Sequence, residues 1–109
     1  MFFNLLSIAY QKSGKIEKAI DIMKEALDLN PNHPNFLNNI GTCFYMLHKY
    51  SEAEKYFKKG LEIDNKHLHI LNNLGNLKRE TYNIEESIEY YKKVLNIQND
   101  AVPSLFNLV

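Results

Sequence analysis

The stretch PNFLNNIGTCFYMLHKYSEAEKYFKKGLEIDNKH, residues 34–67, decides the fold. Leu37, Ile40, Gly41 and Phe44 stand at i, i+3, i+4 and i+7, one stripe of a helix. Ala53, Phe57, Gly60 and Leu61, at i, i+4, i+7 and i+8, make a like stripe in a second helix, beyond a break at Leu47-His48-Lys49-Tyr50. Pro34 suits the first turn, where a missing N–H costs little. Ser51-Glu52-Ala53-Glu54 reads as a capping box, the Ser51 hydroxyl accepting from the Glu54 backbone and the Glu54 carboxylate reaching back.

The same pattern recurs along the chain at a period of 34 residues. Gly41 returns as Gly75, and Ile40 as Leu74 and Leu108, with Leu6 before them. Phe3, Leu37, Leu71 and Leu105 form another column, as do Leu27, Leu61 and Leu95. Ile16, Tyr50 and Ile84 match, as do Met23, Phe57 and Tyr91, and the small residues Ala19, Ala53 and Ser87. This predicts an all-α chain of helix pairs with units at 1–33, 34–67 and 68–101 and a partial fourth at 102–109. Helices are expected near 2–13, 16–30, 34–47, 51–64, 68–81, 84–97 and 102–109. Asn83 and Glu86 read as a second capping box, and Asn65 and Asn99 take turn positions where Pro31 stands in the first unit. Glutamates open the second helices and lysines follow, which suits the helix dipole.

Composition narrows the function classes. The 109 residues carry 13 basic and 13 acidic side chains. That balance gives no basic footprint for nucleic acid. No apolar run approaches the ~20 residues of a membrane span, so no membrane insertion is expected. One cysteine, Cys43, excludes an internal disulfide and fits a reducing, cytoplasmic setting. The apolar N-terminus lacks a basic region and a small-residue cleavage site, and is read as part of the first unit.

These residues resemble the tetratricopeptide repeat. The second unit carries the resemblance in Ile40-Gly41, Phe44, Ala53 and Phe57, and the first in Tyr10, Gly14, Ala19, Ala26 and Pro31. There are departures. The column that usually holds tryptophan has Phe3, Leu37, Leu71 and Leu105. Lys78 replaces an aromatic residue in the third unit and must snorkel or meet a carboxylate. His48 and Tyr82 stand where the first unit has Gly14, so a left-handed turn there is strained.

The resemblance implies a right-handed superhelical stack whose first helices line a concave face that binds a protein or peptide partner, without catalysis or a cofactor. By position that face displays Asn4, Leu5 and Ile8, then Asn35, Asn38, Asn39, Thr42 and Tyr45. His69, Asn72, Asn73, Asn76 and Arg79 follow, then Phe106 and Asn107. Of these, Asn38, Asn39, Thr42, Tyr45, Asn72, Asn73, Asn76, Arg79 and Asn107 are the candidate peptide-binding residues. Asn39, Asn73 and Asn107 form a ladder. A side-chain amide both donates and accepts, so it can hold peptide backbone of any sequence. This resembles the asparagine ladder of O-linked N-acetylglucosamine transferases and Pins-type adaptors. The carboxylate clamp of chaperone-adaptor repeats is not reproduced. Its positions hold Asn4, Ile8, Asn39, His69 and Asn73, and only Asn39 matches.

Other constellations are sparse. His67 and His69 are two apart at a helix start, a poor metal spacing, so no metal site is expected. Cys43 has no cation at i±3 or i±4, which makes it a packing thiol. Val102, Leu105, Phe106, Leu108 and Val109 make the last segment apolar. That suggests self-association, giving a homo-oligomer, or a segment of a longer protein with a further catalytic domain such as a glycosyltransferase.

Overall fold

The computed structural model describes the backbone of residues 2–101 and the side chains of residues 5–98. Six helices follow one another: α1 (Phe2–Lys12), α2 (Ile16–Leu29), α3 (Pro34–Met46), α4 (Tyr50–Ile63), α5 (Leu68–Glu80) and α6 (Ile84–Ala101). Among the described residues there is no strand. Each helix packs on the next, and α3 also touches α1 and α5. The first helices of the three pairs therefore lie side by side in one row. This is an all-α, right-handed superhelical stack of antiparallel helix pairs.

The turn inside each pair is the same Schellman motif three times over. Gly14, His48 and Tyr82 take φ of 82°, 62° and 64°. In each turn the next residue's N–H reaches back to the carbonyl five residues earlier. Lys15 donates to Tyr10 at 2.8 Å, Lys49 to Phe44 at 2.9 Å and Asn83 to Lys78 at 2.8 Å. The left-handed strain expected at His48 and Tyr82 is present.

Helices within a pair meet where the first helix has almost no side chain. A Cβ built on Gly41 would lie 2.6 Å from Phe57 Cε1, and one on Gly75 would lie 2.6 Å from Tyr91 Cε1. In the first pair the register substitutes Ser7 and Met23, both fully buried. The larger small residue is matched there by a flexible thioether instead of a ring. Ser87, in the alanine column, is also buried, and its hydroxyl donates to the Gly75 carbonyl at 2.8 Å. Leu37, Ile40, Ile70, Leu71, Leu74 and Leu77 complete the core.

Lys78 is only 8% exposed, and it meets two carboxylates. Its Nζ lies 2.9 Å from Glu54 and 3.1 Å from Glu86, tying α5 to α4 and α6. Glu54 also pairs with Lys58 at 2.7 Å. Burial alone would raise the Glu54 carboxyl, but the hydrogen bonds from Lys58 and Lys78 outweigh it and hold the pKa below its ordinary value. The hydrogen bond that Lys78 donates to Glu54 raises the Lys78 pKa, against burial and with help from Glu86.

Three local expectations are corrected. Ser51 is not a helix cap, because α4 begins at Tyr50 and its N-cap, Lys49, makes no side-chain cap bond. The Schellman turn ends at Lys49 and feeds straight into α4, leaving Ser51 inside the helix. Asn83 Nδ2 donates to Thr81 Oγ1 at 3.0 Å, and Glu86 goes to Lys78, so no second capping box forms. The helix expected to end at 97 continues to Ala101, with Asn99 inside it instead of in a turn. Gln98-Asn99-Asp100-Ala101 contains no proline or glycine, and the weak helix propensity of asparagine, well under ~1 kcal/mol, does not stop a growing ladder. Asn65 does lie in a turn, closed by Lys66 N–H donating to Asp64 Oδ1 at 3.2 Å.

Candidate functional site

The row α1, α3, α5 presents the residues named for the concave face. Leu5, Asn35, His69, Asn72 and Arg79 are exposed. Ile8, Asn38, Asn39, Thr42, Tyr45, Asn73 and Asn76 are half-buried. Asn107 and Phe106, with Val102, Leu105, Leu108 and Val109, lie outside the described residues, as does the Asn4 side chain.

Of the half-buried asparagines, Asn38, Asn73 and Asn76 are tied to the scaffold. Asn73 Nδ2 donates to Asn38 Oδ1 at 2.8 Å, which joins α5 to α3. Tyr91 OH donates to Asn76 Oδ1. Thr42 Oγ1 donates to the Asn38 backbone carbonyl at 2.8 Å, a bond within its own helix. Tyr45 packs edge-on against Tyr50, with ring centroids 5.3 Å apart. Burial first, and then the nearby Glu80 carboxylate, raise the Tyr45 phenol. Thr42 and Asn76 thus spend part of their polar capacity on the fold, while Asn72 and Arg79 make no side-chain hydrogen bond or ion pair among the described residues.

Asn35, Asn38, Asn39 and His69 line one open depression of about 390 Å³ between α3 and α5. The Asn39 Nδ2 atom is buried and has no hydrogen-bond partner. Leaving such a donor unsatisfied costs about 1–3 kcal/mol.

His67 holds one lining residue of this depression, Asn35. It is the N-cap of α5, and its Nδ1 accepts from the Ile70 N–H at 3.2 Å. The other nitrogen, Nε2, then carries the hydrogen and donates to Asn35 Oδ1 at 2.7 Å. Burial lowers the His67 pKa below its ordinary 6.5; Asp64 opposes the shift and His69 adds to it. By sequence alone His67 stands out only as a poorly spaced metal ligand. The overlooked signal was its match to His33 at the repeat period, since His33 is the N-cap of α3. His33 itself stacks on Phe36 at 3.9 Å between centroids and makes no cap bond.

Cys43 is buried between α1 and α3, where Gln11 Nε2 donates to its Sγ at 3.3 Å. Burial raises the thiol, and the Gln11 and Ser7 contacts only partly offset this. Such a thiol is a poor nucleophile. Among the described residues, no group of three or more His, Cys, Asp or Glu side chains is placed to hold a metal. No described helix is long and apolar enough to cross a membrane.

Comparison with known proteins fits this architecture. Tetratricopeptide-repeat family profiles match residues 3–66 and 67–102. The chain belongs to the tetratricopeptide repeat family. No curated protein is significantly similar to it in sequence. Among solved structures, it is similar to the first TPR of Spaghetti (RPAP3) bound to the HSP90 peptide SRMEEVD. That match has a TM-score of 0.85 and 20% identity over 98% of this chain and 87% of the other. The first TPR domain of human RPAP3 gives a TM-score of 0.84 and 21% identity, covering 97% and 84% of the two chains. MamA gives a TM-score of 0.85 and 18% identity over 93% of this chain and 59% of its own.

Proposed function

We propose that the concave face of α1, α3 and α5 binds an extended segment of a partner protein, and that the chain is a cytoplasmic interaction scaffold with no catalytic role and no cofactor. The observation that carries this reading is the depression lined by Asn35, Asn38, Asn39 and His69, with an unpartnered amide at Asn39. Helices about 8–10 Å apart and a peptide advancing about 3.3 Å per residue place one groove asparagine near every third peptide residue. Related folds bind peptides, as the HSP90-peptide complex of Spaghetti illustrates. Peptide-display selection on the native domain, run beside an Asn39→Ala/Asn73→Ala variant of equal helicity, tests the proposal. Enrichment on the native domain that is lost on the variant supports it. Equal enrichment on both moves function away from the groove.

A second reading rests on α6. Ile84, Ile88 and Leu95 are roughly half-exposed along one face of that helix. Two repeats earlier the same columns hold Ile16, Ile20 and Leu27, which pack into the core where α2 meets α3. A fourth repeat begun by residues 102–109 would cover the α6 face, with Leu105 and Leu108 in the columns of Leu37 and Ile40. Sedimentation of the native chain and of Leu108→Asp tests it. A monomer that Leu108→Asp destabilises supports the intrachain helix, whereas a concentration-dependent dimer lost in the variant points to a second copy.

A further inference from the structure

Two columns of the repeat change chemistry together. Ile20 of α2 and Phe44 of α3 belong to one buried cluster and line one depression where these helices meet. One period later the same two places hold Glu54 of α4 and Lys78 of α5, with Nζ 2.9 Å from the carboxylate. The residues that support this ion pair also have counterparts at the first junction. Lys24 stands in the column of Lys58, which pairs with Glu54 at 2.7 Å. Glu52 stands in the column of Glu86, which lies 3.1 Å from Lys78. An apolar pair at one junction is thus exchanged whole for an ion pair at the next. Crossed pairs would be costly. A phenylalanine against Glu54 would bury a carboxylate without this cation, and a lysine against Ile20 would bury an ammonium without its carboxylate. On α6 the column returns to the apolar type with Ile88, 46% exposed, and Lys92 follows one turn later.

The short links at residues 30–33 and 64–67 bring α3 onto α2 and α5 onto α4 whatever the chemistry of these columns. At α6 the column has a choice to make. We infer that the α6 face takes a first helix bearing an aromatic or aliphatic residue in the Phe44 column, and refuses one bearing lysine there, as α5 does. The face continues the α2–α3 interface, because Ile84, Ile88 and Leu95 stand in the columns of Ile16, Ile20 and Leu27. The inference rests on the reading above that a further helix covers α6, and it specifies the chemistry of that helix. Ile88 is the selecting residue.

The test joins a copy of residues 34–67 directly after Ala101, in place of residues 102–109. All six helices are kept, and the copied Phe44 falls one repeat period after Lys78. A second chain carries Phe44→Lys in the copy only. A third combines that copy with Ile88→Glu on α6, where Lys92 and the copied Glu52 supply the counterparts of Lys58 and Glu86. A fourth sets Ile88→Glu against the unaltered copy. Because Ile88 is half-exposed, its substitution leaves the buried core intact. Urea denaturation of the four is compared with that of the native chain. The unaltered copy should raise the midpoint. Phe44→Lys in the copy should remove more than half of that gain, Ile88→Glu should restore most of it, and Ile88→Glu against the unaltered copy should lose it again. Equal gains from the phenylalanine and lysine copies, or no restoration by Ile88→Glu, overturn the inference and leave the covered-face reading standing. No gain from any of the four chains overturns both.

Discussion

The ring of Phe57 occupies the space that a Cβ on Gly41 would need, with Cε1 2.6 Å from that position. The rings of Phe57 and Tyr91 use the missing side chains of Gly41 and Gly75 to bring their helix pairs together. In the first pair, the Ser7 and Met23 register achieves the same closure with different shapes.

Gly41→Ala is therefore expected to destabilise the fold by about 1–3 kcal/mol through overpacking, despite alanine's better helix propensity. The double variant Gly41→Ser/Phe57→Met, which copies the first pair, should recover more than half of the loss from Gly41→Ser alone. Urea denaturation measures both, and an additive double variant would sink the complementarity argument.

At the left-handed turn positions the effect has the opposite sign. Tyr82 has φ 64° and is 88% exposed, so its ring gains little in return. Tyr82→Gly should stabilise by up to ~1–2 kcal/mol. Gly14→Ala should destabilise by a similar amount, although no atom lies within 4 Å of the added Cβ. His48→Gly should gain less, since His48 Nδ1 shares a 2.9 Å hydrogen bond with Tyr50 OH. Melting temperatures of the three variants give the ranking.

The ion triad at Lys78 predicts a pH window. Glu54 has a depressed pKa, so its contribution is fully present above the unfolded value of about 4.5 and is lost as pH falls through the folded value. Lys78 has a raised pKa, so its contribution holds below about 10.5 and is lost as pH rises further. Lys78→Ala should cost about 1.5–3 kcal/mol at neutral pH, because it leaves Glu54 without its most buried partner. Lys78→Leu with Glu54→Gln should be much milder, since both charges leave together. Denaturation curves from pH 3 to 11 test the sign at each end.

The cap at α5 adds a second acid-sensitive group. The lowered pKa of His67 means that its contribution is present above 6.5 and lost as pH falls through the folded value. A protonated Nδ1 can no longer accept from Ile70. Asp64 and His69 act on the same ring in opposite directions. His67→Ala should cost ~1 kcal/mol at pH 8, and His67→Asn should keep the cap and flatten the pH dependence between 5 and 7. Thermal melts at pH 5 and pH 8 compare the three proteins.

The sequence by itself determined the helix pairs, their period and the face each helix buries. Those follow from apolar spacing, which is local and repeats three times. It also announced the strain at His48 and Tyr82 and the need of Lys78 for a carboxylate, because each breaks a column its neighbours keep. Helix ends were less legible. The Ser51 capping box and the stop at 97 rested on side-chain preferences worth about 1 kcal/mol, which a tight Schellman turn and an uninterrupted backbone ladder override. Only the tertiary structure decided how the asparagine amides of α3 are engaged. An asparagine amide can donate or accept, and which it offers depends on partners 32 or 35 residues away, His67 for Asn35 and Asn73 for Asn38. The sequence lists the amides, but only the packing of α3 on α5 decides which of their atoms pair with one another.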